Sequence, residues 1–346
     1  MLFQLAPRIS ILAVQLIRGG VTVGIAGILS RVPCALLLVV LLGCEAPLVL
    51  DHVENQIAQA TRRSDLLQAA ATNPNALVVV GSRGAVVSSI DRGKTWQRQE
   101  LEGKPFLMAV TTCPDGSFVA LDYGRMLWFG NAEAAEWHSQ PIATSETVQT
   151  VSCDPQGNLW VVGSFSTILH STDRGQTWSE SSLDEDLHFT SIQFVDENTA
   201  FLTGEFGVVV RSTDGGETWE RLQPLPDEFY PQDAYFYDRN IGWVVGLAGT
   251  IMVTNDGGTS WVRQDTGTTA PLYKITRNGS NLYVVGGNGT VLQSKLASDN
   301  PGKNNWSNVQ HQAPIRFYLR GVAPVGDKHL LVAGGAGALF VIPTDT

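Results

Sequence analysis

Four aspartates, Asp91, Asp173, Asp214 and Asp256, stand in one repeated setting. The segments are Ser89-Ile-Asp91-Arg-Gly93-Lys-Thr95-Trp96, Ser171-Thr-Asp173-Arg-Gly175-Gln-Thr177-Trp178, Ser212-Thr-Asp214-Gly-Gly216-Glu-Thr218-Trp219 and Thr254-Asn-Asp256-Gly-Gly258-Thr-Ser260-Trp261. Repeated carboxylates could bind calcium or serve as acids, but one carboxylate per segment provides no coordination shell. Glycoside hydrolysis needs two carboxyl groups facing each other at a defined separation, and no such pair stands out. The remaining chemistry is structural. In a tight hairpin the carboxylate accepts hydrogen bonds from nearby backbone N–H groups and from the flanking hydroxyls. Glycine supplies the positive φ of the turn, and the Trp ring is expected to pack over the following strand toward the next repeat. No His-rich metal spacing, phosphate loop or Gly-x-Ser-x-Gly elbow accompanies them, so no metal and no cofactor is expected.

The elements that must position these residues follow from their spacing. Ahead of each segment lies an apolar strand preceded by a small-residue turn: Gly81 to Gly84, Gly163 to Ser166, Gly204 to Gly207 and Gly246 to Gly249. Three further turns of this kind, Leu121 to Gly124, Gly286 to Gly289 and Gly334 to Gly337, lack a full segment. Their last residues recur at intervals of 40, 42, 41, 42, 40 and 48, which is the period of a propeller blade. Each unit reads as four strands, for example Phe189 to Val195, Thr199 to Thr203, Gly207 to Ser212 and Thr218 to Leu222. A sheet of this size cannot cover both of its faces, so the units must stack side by side and close radially. The expected fold is therefore all-β, a seven-bladed β-propeller over residues 53–346. Its last unit holds only three strands, so Val53 to Ala60 is expected to supply the fourth and close the ring. Trp137 and Trp306 occupy the same outer slot in units whose turn segments have decayed.

The pattern resembles the Asp-box (BNR) propellers over almost everything from residue 60 onward. Seven blades with short loops and G-x-x-G turns look most like the photosystem II stability/assembly factor group. That resemblance implies a binding and assembly scaffold rather than an enzyme, while the acidic balance argues against carrying over a photosynthetic client. Sialidases also carry Asp boxes, and a glycan-binding or glycoside-hydrolysing protein is the alternative. Their Arg-Ile-Pro signature is missing here and their propellers have six blades.

The first 44 residues differ in kind. They hold Arg8, Arg18 and Arg31, no Asp or Glu, and an apolar run from Val32 to Leu42 followed by Gly43 and Cys44. The run is shorter than the roughly 20 apolar residues a spanning helix needs. Its end resembles the lipobox of bacterial lipoproteins, which implies removal of residues 1–43, lipid on Cys44 and a short tether over 44–52. An uncleaved N-terminal membrane helix is the other reading, and a start at Val21 or Val23 would give a more ordinary signal peptide. A lipid-anchored protein facing the periplasm is expected, on the outer rather than the inner membrane because Glu45 is not Asp. Removing the three arginines from 23 Lys+Arg leaves 20 against 33 Asp+Glu, a formal charge of −13. Such a surface repels nucleic acid and anionic headgroups. Cys113 and Cys153 close near-equivalent turns of successive repeats. An oxidising compartment would permit a bridge, but two unpaired buried thiols are expected, because spacing alone does not establish the short Cα separation required.

A partner is expected on the face formed by the loops entering each inner strand and by the G-x-x-G turns. Arg83, Phe165, Glu205, Phe206, Phe229, Tyr230, Tyr273, Tyr318 and Arg320 fall there. Aromatic and Arg side chains are favoured interface anchors, and about half of these aromatics should be exposed. The longest insertion on the face, Gln223 to Gln232, is the first choice of contact surface. Aligned inner strands place Gln68, Ala109, Thr150, Ser191, Asp233, Lys274 and Gly321 at the mouth of a central channel. A water-filled channel without ligand is the plainer reading, and Asp233 and Lys274 are expected to pair. The partner is a protein client, and the chain is expected to be monomeric.

Overall fold

The computed structural model describes residues 60–296, 305–309 and 315–344. Seven antiparallel sheets follow one another in chain order. Blade 1 is Leu67–Thr72, Leu77–Gly81, Ala85–Ser89 and Gln97–Glu100. The first strands of blades 2 to 7 are Leu107–Thr112, Val148–Cys153, Phe189–Phe194, Pro231–Phe236, Leu272–Asn278 and Leu319–Val325. Each first strand packs beside those of the neighbouring blades, and Leu319–Val325 packs beside Leu67–Thr72, which closes the ring. Within a blade, burial is greatest in the second strand. Leu77–Gly81, Leu159–Gly163 and Ala200–Gly204 are buried at every position, whereas the outermost Ser179–Ser181 and Glu220–Arg221 are exposed throughout.

Apolar side chains on both faces of each sheet meet those of the next. Phe201 of blade 4 lies flat on Phe236 of blade 5, with ring centroids 3.7 Å apart. Phe118, Ala120 and Trp128 of blade 2 interleave with Val78, Val80 and Val86 of blade 1. Burying a side chain of this size contributes about 1.5–3 kcal/mol. The box tryptophans take part, but in the opposite direction to the expected one. Trp178 packs against the cluster holding Val119, Leu127 and Phe129 of blade 2, and Trp219 meets Trp160 of blade 3 edge-on at 6.0 Å. Each box therefore leans on the preceding blade, as the twist of the sheet carries the outer strand backward over its neighbour. Trp137 and Trp306 fill the same slot without a box.

Blade 7 shows three strands among the described residues, Leu319–Val325, His329–Gly334 and Leu339–Pro343. The strand expected to complete it, Val53 to Ala60, lies outside the described residues except for Ala60. The described segment just after it does tie blades 7 and 1 together. Asp65 is fully buried, and its carboxylate accepts two hydrogen bonds from the Arg98 guanidinium at 2.7 and 3.2 Å and one from the Arg62 N–H at 2.7 Å. The Asp65 carbonyl in turn accepts from Gly337 N–H of blade 7 at 2.9 Å.

Cys113 and Cys153 are joined in a disulfide with Cα atoms 5.2 Å apart. This corrects the expectation of two free thiols. The two inner hairpins of blades 2 and 3 are brought side by side by ring closure, a separation that spacing in the chain does not reveal.

Removing one partner of a buried ion pair leaves the other uncompensated. Asp65→Ala should therefore destabilise the propeller by about 3–5 kcal/mol, read by chemical denaturation. A loss below about 1 kcal/mol would show that Asp65 does not fasten the ring.

Candidate functional site

One hydrogen bond, repeated in all seven blades, builds the face on which a partner was expected. The residue after each second strand donates its N–H to the carbonyl just ahead of the first strand: Ser82 to Leu66, Tyr123 to Phe106, Ser164 to Thr147, Glu205 to His188, Leu247 to Tyr230, Gly287 to Pro271 and Gly335 to Tyr318, at 2.8–3.3 Å. The chains approach so closely that a Cβ on Gly163 would lie 1.9 Å from the Thr147 carbonyl oxygen, and one on Gly334 1.8 Å from that of Tyr318. Glycine is thus required by contact. Blade 2 departs from this by placing Asp122 there, whose carboxylate accepts from Met126 N–H at 3.0 Å and Trp128 Nε1 at 2.8 Å.

The tight turn forces a residue into the left-handed region. Arg83, Phe165, Phe206, Ala248, Asn288 and Ala336 have φ between 51° and 59°, a conformation that costs non-glycine residues about 1–2 kcal/mol. Phe165 is 56% and Phe206 63% exposed, so neither gains burial in return. Five more exposed large apolar side chains lie on the same face: Leu66, Phe106, Tyr123, Leu247 and Phe317. These five were not singled out from sequence, although Tyr123 and Leu247 lie within the turn motif itself. Arg83 is exposed, and Tyr273, Tyr318 and Arg320 are half-buried. The favoured loop fares differently. Phe229 is half-buried and packs beside Leu225 and Met252 between blades 4 and 5. Tyr230 donates its hydroxyl to Glu205 Oε1 at 3.2 Å, and burial followed by the neighbouring Glu205 pushes its pKa up to about 12.

Inside this rim the first strands enclose a cavity of about 360 Å³. Every first strand carries a bulge at the same level, between Leu67/Ala69, Leu107/Ala109, Val148/Thr150, Phe189/Ser191, Pro231/Asp233, Leu272/Lys274 and Leu319/Gly321. Register therefore assigns Ala69, not Gln68, to the column of Ala109, Thr150, Ser191, Asp233, Lys274 and Gly321. Gln68 belongs with the bulged residues Met108, Gln149, Thr190, Gln232, Tyr273 and Arg320. A bulge re-aims the side chain it carries; of these seven, Gln68 was expected in the channel column and Tyr273 and Arg320 on the outer face. Asp233 is buried. It pairs with Lys274 as expected, Nζ donating to Oδ1 at 2.9 Å, and its Oδ2 accepts from Ile275 N–H at 3.0 Å.

The boxes lie on the opposite edge. In each, the first hydroxyl donates to Oδ1 of the aspartate at 2.8–2.9 Å, and the last hydroxyl donates to Oδ2 at 2.5–2.6 Å. Oδ1 also accepts the N–H of that last residue at 2.8–2.9 Å. Both oxygens of every box carboxylate are thus spent within the hairpin. Hydrogen bonds led by those from Thr95, Thr177 and Thr218 lower Asp91, Asp173 and Asp214 to about 2. At Asp256 burial acts upward, and the hydrogen bonds from Ser260 and Thr254 outweigh it.

Seven blades closed on a central channel, with outer hairpins organised by an Asp-hydroxyl network, define an Asp-box β-propeller. The sequence model of the photosynthesis system II assembly factor YCF48 family matches residues 129–229 and 223–342, and the chain belongs to that family. Relatives include the photosystem II assembly lipoprotein Ycf48 of Synechococcus sp. (strain RCC307), 30% identical over 131 residues, 36% of this chain and 40% of that protein. The photosystem II assembly protein Ycf48 of Synechococcus sp. (strain JA-3-3Ab) is 25% identical over 179 residues, 38% of this chain and 54% of that protein. The chain thus spans about half the length, or less, of these curated relatives. Among solved structures, YCF48 bound to D1 peptide superposes with a TM-score of 0.66 at 13% identity, covering 82% of this chain and 93% of that one. Virginiamycin B lyase from Staphylococcus aureus superposes equally well, with a TM-score of 0.68 at 14% identity over 83% and 96%. At such identities the likeness is one of fold, and fold alone assigns no function.

The lowered box aspartates have a measurable consequence. A group whose folded pKa lies below its ordinary value, 3.8 here, stabilises the fold above about pH 4 and loses that contribution as pH falls through about 2. A triple variant, Asp91→Asn, Asp173→Asn and Asp214→Asn, should melt below the unaltered protein at pH 7. The gap should narrow on acidification from about pH 4 to 2, and a gap independent of pH would exclude the charged network as its source.

Proposed function

We propose that this chain is a non-catalytic assembly scaffold that holds a protein client on the face carrying the G-x-x-G turns. The observation that carries this reading is Phe165 and Phe206. Both are large, apolar, exposed and left-handed, so neither packing nor backbone preference accounts for them. They stand among seven exposed apolar side chains on one face, the kind of surface that marks an interaction site. The assembly-protein names of the relatives and the D1 peptide bound to one structural neighbour support a protein client. The carboxylates that a hydrolase would need on this face are committed to hydrogen bonds, Asp233 to Lys274 and Ile275, Glu205 to Tyr230 and to His188 N–H at 3.1 Å.

Asparagine tolerates the left-handed region better than phenylalanine. Phe165→Asn with Phe206→Asn should therefore leave the melting temperature unchanged or raise it by about 2–4 °C. The same variant should lose at least about tenfold in client recovery from solubilised membranes. Full recovery by the folded variant would remove this face as the client site.

We further propose that the chain is anchored by lipid on Cys44 at the cell envelope, facing the periplasm from the outer membrane. The lipoprotein names of several relatives support the anchor, and a disulfide between Cys113 and Cys153 fits an oxidising compartment. Mass spectrometry of the membrane fraction should find a lipidated peptide beginning at Cys44. An unmodified mature peptide running through that position would exclude the anchor.

A further inference from the structure

We infer that the channel mouth beside blades 6, 7 and 1 is a binding site for a peptide carboxylate, a reading that rests on the proposed client face and names the chemistry it recognises. Asp233, Lys274 and Arg320 are the only charged groups among the described residues lining the cavity. Asp233 spends both oxygens internally, one on Lys274 and one on Ile275 N–H. That leaves Lys274 with two further N–H donors and Arg320 with its whole fork. Among the described residues Arg320 has no hydrogen bond and no ion pair. Its guanidinium lies over the Tyr273 ring, 4.5 Å from the centroid. Tyr318, whose hydroxyl oxygen accepts from Gln68 Nε2 at 3.1 Å, has its own proton left to donate.

The cluster carries a net charge of +1 in a chain with ten more acids than bases. What it offers to a ligand is dominated by donors: the guanidinium, the remaining ammonium hydrogens and two phenols. The cation–π contact with Tyr273 holds the guanidinium at the mouth while leaving N–H donors to meet a planar anion in bidentate fashion. The bulges supply the positioning, because Gln68, Tyr273 and Arg320 are the bulged residues of three consecutive blades around the ring. A cavity of about 360 Å³ lies near the lower end of small-ligand sites. It suits the acidic end or acidic side chain of a client whose apolar body rests on the outer rim.

The test uses the full chain and three short probes: acetyl-trialanine with a free C-terminal carboxylate, the same peptide as its amide, and acetyl-Ala-Asp-Ala amide. Binding followed by NMR or calorimetry should favour a carboxylate probe over the neutral amide by at least about tenfold. The free terminus and the aspartyl peptide then distinguish a chain end from an acidic side chain. Arg320→Gln should abolish the preference at an unchanged melting temperature, and Arg320→Lys should restore part of it. The acid and amide comparison on the unaltered protein stands even if the Gln variant misfolds. Equal binding of acid and amide, or inorganic phosphate binding as tightly as the acid peptide, would overturn the inference. Client recovery that still depends on Phe165 and Phe206 would in that case leave the scaffold reading intact, whereas loss of both dependences would remove the face altogether.

Discussion

A four-stranded twisted sheet with apolar residues on both faces has no stable existence by itself, since one neighbour covers only half of what must leave water. In this chain the second strand of each blade is sealed from both sides, as at Val78, Val79 and Val80. Satisfying every sheet at once requires a ring, and the ring forces seven first strands together at its axis. There the chains meet with little room. A Cβ on Gly321 would come within 3.1 Å of Ala70. Small residues at five of the seven column positions, a paired Asp233 and Lys274 at the other two, and a bulge on each strand are how the axis accommodates the crowd, so the channel lining follows from burying the sheets.

The same crowding explains the face. Each second strand must turn back within four residues while passing against the carbonyl ahead of the first strand. Glycine is needed at the contact, and the second residue beyond it is tipped into the left-handed region with its side chain toward solvent. The propeller thereby creates a ring of positions whose identity matters little to packing. Ala248, Asn288 and Ala336 show that small residues serve there, and Phe165, Phe206 and Arg83 show that large ones are accommodated. Such positions can vary with a partner at small cost to the blades.

Blade number, order and the hairpin role of the boxes were legible because they repeat in the chain with their spacing intact. The direction of the box tryptophans was not, since a sequence repeat is blind to which neighbour an outer strand leans on. Gln68 was placed one residue out of register because the hairpin joining the first two strands of blade 1, where Thr72 pairs with Leu77, is one residue shorter than those of blades 3, 4 and 5, where Cys153 pairs with Leu159, Phe194 with Ala200 and Phe236 with Gly242. Phe165 and Phe206 could be named from the turn motif. Leu66, Phe106 and Phe317 could not, because an apolar residue at the start of a strand reads as core until the turn above it is seen to leave it uncovered. Phe229 erred the other way. Its loop looked free, but the side chain drops against Gly246.

The bond between Cys113 and Cys153 joins positions that are almost the same place in two copies of one motif. Chains built from near-identical units are prone to pairing a unit with the wrong neighbour, or with a neighbour from another molecule. Only when blade 2 lies against blade 3 do these two sulfurs meet. Oxidation therefore acts as a covalent record of correct assembly order, readable by whether the chain migrates as an internally crosslinked species.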